Sequence, residues 1–150
     1  IGFEPTPHDA EFIDDFLPER IVPNVVLMNP PFSSSGGRVE RTRNKFGFRH
    51  VESAFRRLAP GGRFAVILGE SGSPGSVSGK QFWDSMSPVV RVTRSIGLPG
   101  REYYRNGTTV GITMILGRKL SFRETGSEYL FNHHQKVVSV EDAFKTIESK

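Results

Sequence analysis

The chain has 150 residues, of which 36% are hydrophobic and 12 are Phe, and its formal charge is +4. This is enough apolar material for one packed core, and no apolar run approaches the roughly 20 residues of a membrane span, which excludes a wholly disordered chain and a membrane protein. The absence of cysteine excludes disulfide scaffolds, thiolate metal sites and cysteine nucleophiles. With no secretion signal a cytoplasmic protein is expected, and the start at Ile1 favours a piece of something longer.

The first third of the chain predicts one helix and one strand. Asp9 can cap a helix that Pro18 ends. The apolar side chains of this stretch share one face: Phe12, Ile13, Phe16 and Leu17. Val25–Met28 is a short continuous apolar run, typical of a strand buried on both faces of a parallel sheet. It runs into Asn29-Pro30-Pro31, where the missing proline donors end any strand pairing.

The remainder alternates helix and strand patterns. In chain order the patterns predict a helix over 48–58, a strand over 63–68, a Gly/Ser/Pro-rich loop over 69–79, a helix over 80–86, a strand over 89–96, a turn at 106–107, a strand over 109–116 and a helix over 140–147. In the first helix Val51, Phe55 and Leu58 form the buried stripe, and Ser139 caps the last helix. This alternation predicts an α/β layered fold with a largely parallel sheet.

The most informative residues are Asn29, Pro30, Pro31 and Phe32, which directly follow the first predicted strand. In an open α/β sheet, ligands bind at the carboxyl ends of strands. The Asn29 side-chain oxygen and the Pro30 carbonyl can accept both hydrogens of one exocyclic amine, which directs the nitrogen lone pair at an electrophile. The prolines hold both acceptors in place, and Phe32 can stack on a planar ring. The pattern predicts a preorganised amine-binding site.

Residues 25–32, VVLMNPPF, resemble the catalytic motif of S-adenosylmethionine-dependent amino-methyltransferases, above all the adenine-N6 DNA methyltransferases. Residues 58–64, LAPGGRF, are similar to the turn before the fifth sheet strand of that family. Residues 28–37 and 47–70 resemble the methyltransferase-like segment of bacterial strawberry-notch-type helicase–methyltransferase proteins. The likeness covers roughly residues 9–118. It implies a Rossmann-like methyltransferase fold, S-adenosylmethionine as cofactor, adenine N6 in DNA as methyl acceptor, and a helicase-like region in the same parent chain.

The resemblance also implies residue roles. Asn29 and Pro30 would bind the target amine, Pro31 would shape the turn, Phe32 would stack on the flipped base, and Asn29 would also contact the cofactor. Asp15 stands in an Asp-Phe-Leu triplet that resembles one used against the cofactor's adenine, which makes it a second candidate cofactor contact. The helical periodicity around Asp15 favours a simpler interpretation, a solvated helix residue.

The family's glycine-rich cofactor loop is missing upstream of Asn29, because only 28 residues precede it. Residues 1–150 are therefore expected to form a single α/β domain fragment. It would be the C-terminal half of the methyltransferase fold, with a mostly parallel sheet from the fourth strand onward and flanking helices, and without the cofactor-binding half.

Basic residues are concentrated just past the amine site. Between residues 38 and 63 there are eight bases and two acids. Such a basic surface favours a polyanionic partner, here DNA, although an ordinary solvated face has the same composition. The candidate phosphate contacts are Arg38, Arg41, Arg43, Lys45 and Arg49.

Two other functions remain open from sequence. The same amine geometry serves methylation of a protein glutamine or of RNA, and a fragment that keeps the fold without turnover would be a nucleic-acid-binding module. No metal site is predicted, because His133 and His134 have no cysteine or acid at ligand spacing. They are expected to be an exposed pair on a loop.

Overall fold

The computed structural model describes residues 7–31, 47–101, 111–124 and 133–149. In these ranges helices and strands alternate along the chain. They are α1 (Ile13–Phe16), β1 (Val25–Met28), α2 (Phe48–Arg57), β2 (Arg63–Gly69), α3 (Val77–Met86), β3 (Val90–Leu98), β4 (Ile112–Lys119), β5 (Gln135–Lys136) and α4 (Val140–Glu148). Short 3₁₀ turns precede α1 and follow β2, at Ala10–Phe12 and Glu70–Gly72. No helix within these ranges has the length and apolarity to cross a membrane.

Helix ends follow local capping signals. The Asp9 side chain accepts a hydrogen bond from the Glu11 backbone N–H at 2.9 Å, and Ser139 Oγ accepts one from the Asp142 N–H at 3.1 Å, as the sequence predicts. Helix α3 begins earlier than predicted, because Ser76 Oγ accepts from the Gly79 N–H at 2.9 Å and caps it there. The predicted turn at 106–107 lies outside the described residues, and the strand predicted after it is β4.

The five strands form one sheet in the order β1-β2-β4-β3-β5. Strands β1 and β2 pair directly and in parallel, and α2 lies between them in the chain. Strands β3 and β5 also pair in parallel. Strand β4 lies antiparallel between β2 and β3. Four strands therefore point the same way, and the carboxyl ends of β1, β2 and β3 lie at the same edge of the sheet. The predicted α/β class is confirmed, and the sheet is mixed because β4 is reversed.

Each face of the sheet carries its own core. On one face Val51, Phe55 and Leu58, the predicted stripe of α2, are buried. The Phe55 ring lies 4.4 Å from the ring of Phe64 on β2, and Trp83 of α3 packs beside both. On the other face Ala143 of α4 packs against the ends of β3 and β4, at Ile96, Leu98 and Ile112.

Strand β1 differs from its prediction in one respect. It was expected to be buried on both faces, yet the side chains of Val25 and Leu27 are 50% and 78% exposed. Within the described residues β1 pairs with β2 alone, so it is an edge strand of this sheet. The expectation is wrong because an unbroken apolar run does not show whether other elements of the chain cover both faces of the strand.

Candidate active site

The predicted amine-binding residues follow the last residue of β1. Asn29 is exposed at the carboxyl edge of the sheet, Pro30 is buried, and Pro31 is exposed. The fourth predicted residue, Phe32, lies outside the described residues. The structure therefore places Asn29 where a ligand at this edge could reach it, on a backbone anchored by the buried Pro30.

Gly47 holds Pro30 in place from the other side. Its φ of +78° is left-handed, and an added Cβ would lie 2.8 Å from Pro30 Cγ and 3.2 Å from the Pro31 carbonyl oxygen. Only glycine combines that backbone conformation with so close an approach. Gly47 is a site residue that the sequence reasoning missed, and a single glycine immediately before a helix was the only signal for it.

Residues 32–46, here called the basic segment, connect Pro31 to Gly47 in the sequence. Four of the predicted phosphate contacts belong to it and lie outside the described residues: Arg38, Arg41, Arg43 and Lys45.

Arg49, the described member of that group, is engaged with its own fold. Its guanidinium lies 5.6 Å from the centre of the Phe12 ring and 3.7 Å from Asp14 Oδ2, and its side chain is 21% exposed. These contacts join α2 to the N-terminal segment. Arg49 is therefore already engaged by contacts within the fold.

A cavity of about 410 Å³ opens beside Asn29, between the N-terminal segment and α2. Its walls are largely apolar, with Ile13, Leu17, Val26 and Met28 among them. The polar groups that reach it come from Asn29, His50 and Arg57. No acidic side chain lines it within the described residues. His50, a lone histidine in the sequence, lines the cavity together with Asn29.

Arg57 supports this cavity by tying its two walls together. Its guanidinium donates to the backbone carbonyls of Leu17, Pro18 at 2.8 Å and Ile21 at 3.1 Å, and also to that of Asp14 at 3.2 Å. One side chain of α2 therefore satisfies four carbonyls of the segment that leads into β1.

The two neighbouring aspartates of α1 have different surroundings. Asp15, the candidate cofactor contact, is exposed on α1 and does not line the cavity with Asn29. The side chain of Asp14 is only 6% exposed, and its carboxylate accepts hydrogen bonds from Ser53 Oγ at 2.7 Å and Arg56 at 2.8 Å. Burial alone raises the pKa of Asp14, but these bonds and the charges of Arg49 and Arg56 outweigh it and leave the pKa below its ordinary value.

The sequence matches no protein-family model, and no curated protein is similar to it. Solved structures do share its architecture. The M protein of the type I restriction enzyme EcoKI is 17% identical, with a TM-score of 0.52 over 77% of this chain and 25% of that one. A protein from Listeria monocytogenes assigned as a class I S-adenosylmethionine-dependent methyltransferase is 13% identical, with a TM-score of 0.56 over 84% of this chain and 42% of its own.

A chain of a type I restriction–modification system gives a third match, 18% identical, with a TM-score of 0.51 over 64% of this chain and 21% of that one. These likenesses show that the chain has the Rossmann-like fold of class I S-adenosylmethionine-dependent methyltransferases. The chain spans less than half the length of each of these proteins.

Proposed function

We propose that this chain carries the amine-binding part of an S-adenosylmethionine-dependent methyltransferase acting on adenine N6 in DNA. The observation that carries the proposal is the exposed Asn29 at the carboxyl end of β1, on a backbone held by the buried Pro30 and by Gly47. Support comes from the fold, which is that of class I methyltransferases, and from the EcoKI M protein, a DNA-modifying relative in architecture.

In the proposed reaction the protein positions the target amine and does not deprotonate it before methyl transfer. The Asn29 side-chain oxygen and the Pro30 carbonyl oxygen accept the two N–H groups of the target amine. The nitrogen lone pair then points away from both acceptors, toward the methyl carbon. When bound, S-adenosylmethionine supplies a methyl group on a sulfonium. As the nitrogen took that methyl group, the sulfonium would leave as a neutral thioether and the amine would pass one proton to water. Because positive charge builds on the nitrogen meanwhile, the two acceptors bind it most strongly at that point.

The cavity beside Asn29 fits part of such a cofactor. Its volume of about 410 Å³ lies within the range of ligand pockets, and its apolar walls suit an adenine ring or methionine methylenes. The ribose hydroxyls and the ammonium of the cofactor call for carboxylates, and none lines the described cavity. The described residues therefore accommodate the apolar groups of S-adenosylmethionine and leave its polar groups to residues elsewhere in a longer protein.

This division supports the proposal that the chain is the C-terminal half of its domain. Val25 and Leu27 on β1 would be covered by the glycine-rich half, which would add a strand along the open edge. The exposed Asp15 remains a predicted cofactor contact, and a cofactor held by the glycine-rich half would have to reach it. The chain alone should bind S-adenosylmethionine weakly, and micromolar binding in titration calorimetry would contradict the half-domain proposal. A helicase-like region in the same parent rests on the sequence resemblance.

DNA binding is proposed to use the basic segment between Pro31 and Gly47. Each phosphate contact contributes about one unit to the log–log dependence of affinity on salt. Changing Arg38, Arg41 and Arg43 to Ser should flatten that slope by up to about three units. The matched control changes three exposed bases elsewhere, Arg20, Arg123 and Lys145, and should leave the slope nearly unchanged. Equal slopes in both triple variants would reduce the segment to a solvated surface.

The experiment that tests the amine site compares the two asparagines that flank β1, in the parent protein. Asn29→Ala removes an acceptor at the carboxyl end of the strand, and Asn24→Ala is the matched change at its amino end. Loss of one preorganised hydrogen-bonding group predicts a fall in kcat of about 10²–10³-fold for Asn29→Ala with little change in KM. Asn24→Ala should keep the parent's kcat. Phe32→Ala should instead raise KM, by an amount that corresponds to about 1–3 kcal/mol of stacking.

The open alternatives are separate outcomes of the same assays. Methyl transfer to RNA or to a glutamine side chain, with DNA inactive, would keep the role of Asn29 and replace the substrate. DNA binding without turnover in the intact parent would identify a nucleic-acid-binding module.

A further inference from the structure

A second polar cleft lies at the same edge of the sheet as Asn29, where β2 and β3 end. Its volume is about 370 Å³, and β5 and the start of β4 complete its walls. Four side chains with charge or hydrogen-bonding capacity line it: Glu70, Arg101, His134 and Lys136. None of them belongs to the amine site. Glu70 lies in the 3₁₀ turn after β2, Arg101 follows β3, and His134 and Lys136 lie at β5, so the folded sheet brings them together.

His134 is held in a defined position within this cleft. Its Nδ1 lies 2.7 Å from the Oγ of Ser95, a buried residue of β3. The ring packs over Gly97, where an added Cβ would lie 2.8 Å from Nε2, and against Gly75, where one would lie 3.4 Å from Cδ2. The sequence predicted an exposed histidine pair. This holds for His133, whereas His134 is half-buried because two glycines make room for its ring.

Burial lowers the pKa of His134, and the neighbouring charge of Lys136 lowers it further, against a smaller opposing effect of Glu70. The folded chain therefore favours the neutral imidazole. The bond to Ser95 occupies Nδ1, and Nε2 lies over Gly97. A fixed neutral imidazole offers one hydrogen-bonding nitrogen and a flat apolar face.

Glu70 lies on the other side of the cleft, and its side chain is about half exposed. Its backbone N–H donates to the Gly111 carbonyl at 2.8 Å, and an added Cβ on Gly111 would lie 3.0 Å from Oε2. Lys136 Nζ lies 3.3 Å from Oε1. The cleft thus presents a carboxylate that accepts hydrogen bonds beside an ammonium that donates them, at the surface where water can be displaced.

We propose that this cleft binds the edge of a guanine base. Guanine carries two adjacent N–H donors, at N1 and N2, which match the two oxygens of the Glu70 carboxylate, and its O6 accepts from the Lys136 ammonium. Adenine and cytosine each offer one amino donor on that edge, and thymine offers a single N–H, so none satisfies both groups as fully. Placing this base in a DNA strand next to the target amine rests on the proposed function, whereas recognition of the base itself does not.

The test uses mononucleotides and the unmodified chain. Nuclear magnetic resonance titrations with GMP, AMP, CMP and ribose 5-phosphate should show binding of GMP at least about tenfold tighter than of the other three, a factor typical of one good hydrogen-bonded pair. The ring protons of His134 should shift on binding, and those of the exposed neighbour His133 should stay in place. The assay contains no methyl donor, so its outcome is independent of methyl transfer.

Glu70→Gln separates the proposal from simpler explanations, because it keeps the shape of the side chain and removes the second acceptor oxygen. It should weaken GMP binding about tenfold or more and leave AMP unchanged, while the exposed control Glu19→Gln should change neither. Gly97→Ala, which displaces the ring, should abolish the His134 shift. Ribose 5-phosphate binding as tightly as GMP would show a phosphate site and overturn the proposal. Equal affinity for all bases, or no binding at millimolar concentration, would also overturn it.

Discussion

Strands β1 and β2 are parallel neighbours of similar composition, but their side chains differ in solvent exposure. Phe64, Val66 and Leu68 of β2 are almost completely buried, whereas Val25 and Leu27 of β1 are at least half exposed. The first strand leads into Asn29, and the second holds the aromatic core of α2 and α3. The strand that carries the candidate chemistry therefore buries less of its apolar surface than β2 does, and only Val26 and Met28 of β1 pack against the core.

The largest effect is expected where a side chain of α2 meets β2. Phe55 has no exposed surface and contacts Phe64 and Trp83, so Phe55→Ala should lower the free energy of unfolding by about 3–5 kcal/mol. The matched change on β1 is Leu27→Ala, which should cost about 0.5 kcal/mol or less because that side chain is 78% exposed. Denaturant titrations of both variants measure the difference. Equal losses would mean that β1 is packed in solution and would remove the contrast between the strands.

A smaller effect is expected at the contact between Arg57 of α2 and the N-terminal segment, which is called the joint below. Arg57→Met keeps the apolar stem of the side chain and removes the guanidinium that donates to four carbonyls, of which only that of Pro18 has a second described donor, the Ile21 N–H. It should lower the free energy of unfolding by about 1.5–3 kcal/mol. Hydrogen exchange should accelerate across residues 13–21 more than across β2 and β4. The control is Lys80→Met on α3, a half-exposed ion-pair partner whose loss should cost about 0–1 kcal/mol. Uniformly faster hydrogen exchange over the whole sheet would contradict a local role of Arg57.

The smallest expected effect depends on pH. The pKa of Asp14 is lowered in the folded chain, so its contribution to stability is fully present above the ordinary value of 3.8 and is lost as pH falls through the folded value. Asp14→Asn should therefore destabilise the chain at pH 7. The difference in the free energy of unfolding between this variant and the unmodified chain should shrink below about pH 4. Unfolding titrations at pH 7 and pH 3 measure this. A difference that stays constant over that range would show that the carboxylate charge of Asp14 is not what stabilises the joint.

Much of the fold could be predicted because its signals are local. The buried stripe Val51, Phe55 and Leu58 has helical spacing, Ser139 is a capping residue, and β2 is an apolar run after a Pro-Gly-Gly turn. The reversed direction of β4 could not be predicted, since an antiparallel and a parallel strand have the same apolar pattern when both faces are covered.

The candidate site divides in the same way. Asn29 and Pro30 could be identified because the tetrapeptide is contiguous in sequence. Gly47 and His134 could not, since each acquires its place from contacts with residues at least 16 positions away, Pro30 or Pro31 in one case and Ser95 in the other. His50 gave no signal beyond a lone histidine, and it lines the cavity because α2 begins next to Pro30.

The most direct test of the central claim is the identity of the methylated atom. DNA would be incubated with the parent protein and S-adenosylmethionine carrying a labelled methyl group, then digested and resolved into nucleosides by mass spectrometry. We expect label in N6-methyladenine with the parent protein and with Asn24→Ala, and about 10²–10³-fold less with Asn29→Ala. Label on a base carbon, or equal labelling of adenine N6 with Asn29→Ala, would contradict it.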